Sequence, residues 1–320
     1  MNRLRDIGPS LLRTSLACAC VVVLSGCGSS GDGGETVASD EAALALSRQP
    51  TVKEVPKVDI EDMPAFPIEE YLPKVGEDAK INAASAGLIR LCMARFGFDY
   101  QGPDIGQSTL DSQENGANRQ RRYGISSEEL AVSYGYHLPR SGSPADRGAG
   151  APVMSKAENK VFIGDQDPAS GVKPGDKVAG KEIPSGGCSG EAQRKLEIKP
   201  RQRMAEKINN VSFARSQENP QVLKAFKSWS DCMMRSGYSY KTPLEPLDNL
   251  QGSSASPSEI SAAKMDVTCK GKVNLAGTWF AVESEIQSEL ISRNEEILKE
   301  DAKSFDALVR RASDEMTASR

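Results

Sequence analysis

Thiols are the side chains in this chain with the most chemistry to offer. Of seven cysteines, Cys27 stands directly behind Leu24-Ser25-Gly26, at the end of an apolar run from Leu16 to Leu24 that follows Arg3, Arg5 and Arg13. A charged segment, then an apolar one, then small residues at the cut is the order of an export signal. The run is too short to cross a bilayer, for which about 20 apolar residues are needed. Residues 1–26 are therefore expected to be removed, leaving Cys27 as an N-terminal thiol open to acylation. No paired arginines precede the run, which points to general secretion rather than the twin-arginine route.

Export decides what the other thiols do. Cys18 and Cys20 leave with the signal, and Cys92, Cys188, Cys232 and Cys269 remain in an oxidising compartment, where an even number favours disulfides. Zinc would need close cysteine pairs or histidine partners, and the chain has one histidine. Neither metal nor cofactor is expected. Four cysteines permit three pairings, and an internal repeat chooses among them. The stretch from Cys92 to Pro103 aligns without a gap on that from Cys232 to Pro243, both reading C-M-x-R-x-G-aromatic-x-Tyr-x-x-Pro. Each copy is followed by a Cys-x-Gly, at Cys188 and at Cys269. If the copies are duplicated units, each closes on itself: Cys92 with Cys188, and Cys232 with Cys269.

No catalytic set emerges. His137 is the sole histidine, and Tyr134-Gly135-Tyr136-His137 offers it no neighbouring nucleophile. Ser170-x-x-Lys173 and Ser261-x-x-Lys264 satisfy the S-x-x-K of penicillin-interacting enzymes, but the partner motifs are missing. Carboxylates are plentiful without one pair standing out, and phosphate-cradling glycine loops are absent. Two groups remain as a candidate binding surface. Tyr100, Tyr136 and Tyr240, with Tyr134 and Tyr238 nearby, supply rings that stack on glycan or close the apolar ends of helices. Arg119, Arg121 and Arg122 form a basic cluster that meets anionic polymer or headgroups, or simply faces solvent.

The elements that must carry these residues read as helices. Ile81, Ala84, Leu88 and Leu91 fall on one face ahead of Cys92, and Gly97 stands where a left-handed terminator is needed. In the second copy Asn219 caps, Pro220 opens the first turn, Val222, Phe226, Trp229 and Met233 form the stripe, and Gly237 closes it. Ser256-Pro257-Ser258-Glu259 starts a further helix through Cys269, with Gly277 as the point where it bends or breaks. A periodic run from Thr278 to about Met316 (Ile286, Leu290, Ile297, Phe305, Leu308, Ala312) fits a helix along a bundle or a helical hairpin. Another helical block runs from Gly190 to Ala214, interrupted at Pro200. Two stretches read as open chain: Gly28 to about Gly76, a tether, and Pro139 to Gly187, in which Val172–Val178 makes a short hairpin or a plain loop.

The expected fold is mainly α: a disulfide-stapled helical domain of two related helical units, with long loops and a disordered N-terminal tether. The division is 1–26 signal peptide, 27–76 lipid-anchored linker, 77–218 first unit with a long insert, and 219–320 second unit with a long C-terminal helix. Forty basic residues against 44 acidic ones give a net charge of −4, and loss of the signal makes the chain more acidic still. Nucleic acid is not expected as a partner.

Leu24 to Cys27 resembles the lipobox of bacterial lipoproteins. Tyr71-Leu72-Pro73, Arg122-Tyr123-Gly124, Gly186-Gly187-Cys188, Trp229-x-x-Cys232-Met233, Asp266-Val267-x-Cys269-Lys270 and Trp279-x-x-Val282-Glu283 are together similar to uncharacterised lipoproteins of Gram-positive bacteria, over about residues 70–300. The resemblance implies a diacylglyceryl anchor on Cys27 and a place on the outer face of the cytoplasmic membrane; two acyl chains suffice for stable attachment. It supplies no mechanism. The expectation is a non-enzymatic cell-surface protein that contacts another envelope protein or a cell-wall polymer. The alternatives are a solute-binding lipoprotein serving a transporter and a wall-modifying enzyme.

Overall fold

The computed structural model describes residues 43–46, 48–58, 63–100, 102, 117–125, 127–139, 154–199, 203–248, 250 and 252–318, all within the unit Glu41–Arg320. The whole segment before residue 43, Cys27 included, and Pro200 lie outside the described residues. The described elements are α1 (Glu77–Arg95), α2 (Glu128–Tyr134), α3 (Lys156–Ile163), β1 (Lys177–Val178), β2 (Lys181–Glu182), α4 (Gly187–Leu196), α5 (Met204–Gln217), α6 (Pro220–Arg235), α7 (Pro257–Val273), α8 (Leu275–Arg293) and α9 (Glu295–Ala318). The fold is mainly helical, as expected, and both expected disulfides are present, Cys92–Cys188 and Cys232–Cys269, with Cα atoms 5.6 and 5.8 Å apart.

The sequence repeat is a repeat of helix endings. In α1 the Met93 carbonyl accepts from the amides of Phe96 (2.9 Å) and Phe98 (3.2 Å); in α6 the Met233 carbonyl accepts from Ser236 and Tyr238 (3.0 Å each). Gly97 and Gly237 take the left-handed conformation between them, at φ 81° and 89°, which costs glycine nothing. Each motif methionine is wholly buried beside its disulfide. Of the stripe expected on α1, Ile81, Ala84 and Leu88 are buried but Leu91 is 58% exposed. Ten residues after Ile81, at 100° each, the helix has brought Leu91 about 80° off that face, and Cys92 and Met93 take the inward place.

Packing runs across residue 218 in both directions. α5 lies along α8, and the C-terminal helix α9 lies along α1. One core gathers Phe66, Ile208, Phe226, Trp229, Trp279 and Ile286 around Cys232 and Cys269. Another gathers Leu88, Met93, Val161, Leu196 and Ala312 around Cys92 and Cys188. α9 serves both, with Leu298 in the first and Ala312 in the second. A small third cluster seats α2 on α7 through Ile125, Ala131, Tyr136 and Ala263.

Several expectations need correction. The stretch taken as an open tether to Gly76 is docked from Ala43 onward. Asn294 Nδ2 donates to the Ala43 carbonyl (3.2 Å), Gln221 holds both main-chain groups of Val52 (2.8 and 2.9 Å), and Asn219 Nδ2 donates to the Pro50 carbonyl (2.8 Å). Beyond them Met63, Phe66, Ile68 and Leu72 are core residues. The Pro139–Gly187 insert is not all open chain either: Ser155 and Glu158 form a capping box that starts α3, and Val161 is buried. Its hairpin turns at Ala179-Gly180, both at positive φ, rather than at Pro174-Gly175-Asp176, as a two-residue turn between twisted strands requires. The break after α7 falls at Asn274 (φ 48°), not Gly277. The long C-terminal run breaks again at Asn294.

Gly277 has a different task. A Cβ there would collide with the Pro56 carbonyl, whose oxygen accepts from Asn274 Nδ2 at 2.9 Å. Gly277→Ala is therefore expected to lift residues 48–58 from the head of α8, with about 1–3 kcal/mol lost as for other overpacked sites. Hydrogen exchange at the amide of Val52 reads this directly; protection equal to the parent protein's would show that the close approach does not matter.

Candidate functional site

Two buried polar centres take in some of the residues singled out in the sequence, among them Arg122 and Tyr136. The first is built around Arg122. Asn118, at φ 50°, starts a single 3₁₀ turn over Arg119–Arg121 that swings Arg122 and Tyr123 inward. Arg122 Nε lies 3.0 and 3.2 Å from the two carboxylate oxygens of Glu283, and its terminal nitrogens donate to the carbonyls of Ala117 (2.8 Å) and Asn209 (2.9 Å). The Tyr123 hydroxyl (2.8 Å) and Ser212 hydroxyl (3.2 Å) also donate to Glu283. Gln287 extends the network, donating to Ser212 and accepting from the Ile68 amide. The guanidinium sits between the rings of Phe66 and Phe213, 4.9 and 5.1 Å from their centroids, and Tyr123 stacks on Trp279 at 4.3 Å. Burial, then the Glu283 charge, pushes the Tyr123 phenol well above its ordinary range. A desolvated ion pair is tolerable only when its remaining donors and acceptors are met, and here they are. The arrangement clamps segments far apart in the chain and presents no group to a substrate.

The second centre lies on α7. Asp266 and Lys270, one turn apart, have side chains with no exposure, and Lys270 Nζ donates to Asp266 Oδ2 (3.1 Å) and to the Ile125 carbonyl (3.0 Å). Trp229 Nε1 donates to the other carboxylate oxygen at 2.8 Å. Burial pushes the Asp266 carboxyl up and the Lys270 ammonium down, each partly offset by the other's charge. Tyr136 is buried against them, its hydroxyl without a partner at full hydrogen-bond geometry; burial, then the Asp266 charge, raises its phenol strongly. Gly124 makes the room. Its φ is 86°, and a Cβ would stand 2.9 Å from Lys270 Nζ and 3.1 Å from the Pro243 carbonyl.

The proposed binding residues are placed as follows. Arg122 and Tyr136 are internal. Arg119 is committed to Glu69 (3.1 Å) and the Met63 carbonyl (3.0 Å), and Arg121 to the carbonyls of Tyr136 (2.8 Å) and His137 (3.0 Å). The basic run is thus a set of clamps, Arg122 buried and Arg119 and Arg121 half-buried, each committed to a neighbouring segment. Tyr240 and Tyr238 lie near Tyr136 around Asp266, whereas Tyr100 stacks on Phe162 (5.5 Å) in the other core. His137 Nε2 is 3.4 Å from Glu259. The two S-x-x-K serines are bonded to main chain, Ser170 to the Gly164 carbonyl (2.6 Å) and Ser261 to that of Pro257 (2.9 Å).

One concave site escaped the sequence reading. α1, the turn after α4, the start of α5 and the middle of α9 enclose a cleft of about 390 Å³. Ile81, Ile198, Phe305 and Leu308 give it an apolar floor. Arg203 lies over the Phe305 ring at 4.0 Å while its Nε holds Glu206 at 3.0 Å, and Arg311 holds the Leu196 carbonyl (2.9 Å) and Glu197 (3.2 Å). Asp78 stands at the rim, its carboxyl raised by partial burial against the opposing pull of Arg203. Apolar walls with a few fixed charges are the usual make-up of a ligand site. Its residues come from three stretches far apart in the chain, 78–81, 197–206 and 301–311, with no shared motif to announce it.

Among the described residues no group of three or more His, Cys, Asp or Glu side chains could hold a metal, and no helix is long and apolar enough to cross a membrane. Compared with protein-family models, curated proteins and solved structures, the chain matches none.

Proposed function

We propose that this chain is a lipid-anchored protein of the outer face of the cytoplasmic membrane that works by binding, gripping a peptide segment of another envelope protein in the cleft between α1 and α9. The cleft carries the reading. Its apolar floor and paired charges suit an amphipathic peptide better than a uniform polymer, and two buried disulfides fit an oxidising compartment. The Leu24–Cys27 element supplies the anchor. A transporter-linked solute receptor was expected to alternate strands and helices around its cleft, and the two-residue strands of this fold do not favour it.

A photoreactive residue in place of Ser304, at the cleft wall, is expected to give one discrete adduct in the membrane fraction of intact cells making the full chain. Phe305→Ala should weaken that adduct about tenfold, the usual effect of truncating an anchor contact. Equal, diffuse labelling from Ser304 and from exposed Lys272 would overturn the proposal.

A further inference from the structure

Asp266 and Lys270 meet under conditions in which a carboxyl and an amine can do more than pair. Neither side chain has any exposure, and they sit at i and i+4 on one face of α7 with Nζ 3.1 Å from Oδ2. Shifting one proton along that hydrogen bond gives a neutral amine beside a neutral acid, with no change of net charge. Burial favours that form for both groups. The amine is steered by its second bond to the Ile125 carbonyl, and Trp229 Nε1 polarises the carboxyl from the far side. The Tyr136 hydroxyl, buried against Asp266, stands as a second donor toward its carboxyl. Donors fixed where negative charge develops are the strongest aid to acyl chemistry, and reactants held in contact reach effective concentrations on the order of 10⁵–10⁸ M.

We propose that Asp266 and Lys270 become joined by a side-chain amide that the folded protein forms unaided. Lys270 Nζ attacks Asp266 Cγ, and a C–N bond forms while Oδ1 carries the developing charge under the Trp229 N–H and the Tyr136 O–H. A proton passes from the nitrogen to Oδ2, the C–O bond breaks, and one water leaves. No oxidant or second reactant enters. The product keeps the partners already present: the amide N–H still donates to Ile125 and the amide oxygen still accepts from Trp229. Two buried charges disappear, which removes the desolvation penalty of the pair. Gly124 belongs to the device, since any side chain there would press on Nζ.

Intact-mass measurement of the purified full chain, after disulfide reduction, tests this without a variant. The expected mass is one water below that of the open chain. Trypsin should then fail to cut after Lys270 and release Met265–Lys272 one water light, with no fragment ions from within residues 266–270. Tyr136→Phe should slow the appearance of that species at least tenfold, and Lys270→Met should abolish it. A full-mass protein cut normally after Lys270 overturns the proposal. So does a water loss confined to Asp266 with Lys270 still cleavable, the mark of a cyclic imide.

Discussion

Replacing Cys92 and Cys188 together with alanine is expected to lower the unfolding free energy by about 4–5 kcal/mol, the loop-closure value for a bridge enclosing some hundred residues. The bridge spans 96 residues. The core it serves is small, built from α1, α3, α4 and the end of α9, and the bridge adds a covalent tie to the packing of α4 on α1 and α3. Cys188 is the second residue of α4, and the turn before it is so tight that a Cβ on Gly164 would strike the Gly187 amide. Without the bridge that close approach rests on packing and hydrogen bonds alone. The Cys232–Cys269 bridge closes 37 residues, for which the same relation gives about 4 kcal/mol. It joins helices that also share Trp229 and Met233 with the larger core, so its loss should leave more residual structure. Urea unfolding followed by circular dichroism compares the two, and a loss under about 1 kcal/mol for the first pair would mean that packing, not the covalent link, fixes α4.

Glu283→Gln should be comparably damaging, at about 3–5 kcal/mol, because it strands a buried guanidinium without its counter-charge. Arg122 is 8% exposed and Glu283 not at all, and three further donors converge on the carboxylate or its partner. Arg122→Met should cost a similar amount for the opposite reason, leaving an unmatched carboxylate. The double variant Arg122→Met, Glu283→Leu should recover more than half of either loss, since no charge is then orphaned. Denaturation curves of the parent and the three variants settle it. Additive losses in the double variant would show that the two residues act separately.

The contrast between these two effects marks what the sequence makes legible. Helix endings are local, so Gly97, Gly237, Asn219 and Ser256 reveal themselves by residue type, and the disulfide pairing follows because the repeat ties each cysteine to its own copy. Arg122 is different. Its neighbours Arg119 and Arg121 make it look like one of a solvated run, and its counter-charge lies 161 residues away. Nothing nearby announces that a turn at Asn118 points it inward. The same holds for residues 43–72, where a few anchors such as Phe66, Ile68 and Leu72 are diluted in a polar, proline-containing stretch of tether-like composition. The cleft was invisible because its floor joins Ile81 and Phe305, each of which reads as an ordinary core position of its own helix, to Ile198 beyond the end of α4.

The seating of α9 along α1 also bears on how such a chain is made. A polypeptide is made from its amino end, and here the first long helix finds its main neighbour only when the last one arrives. Contacts so remote in sequence form slowly. The early part of the chain must wait, open to chaperones and proteases, until the carboxyl end is delivered. Removing the final two turns would take Ala312 and Met316 from the smaller core and so loosen α1, rather than trim a free end.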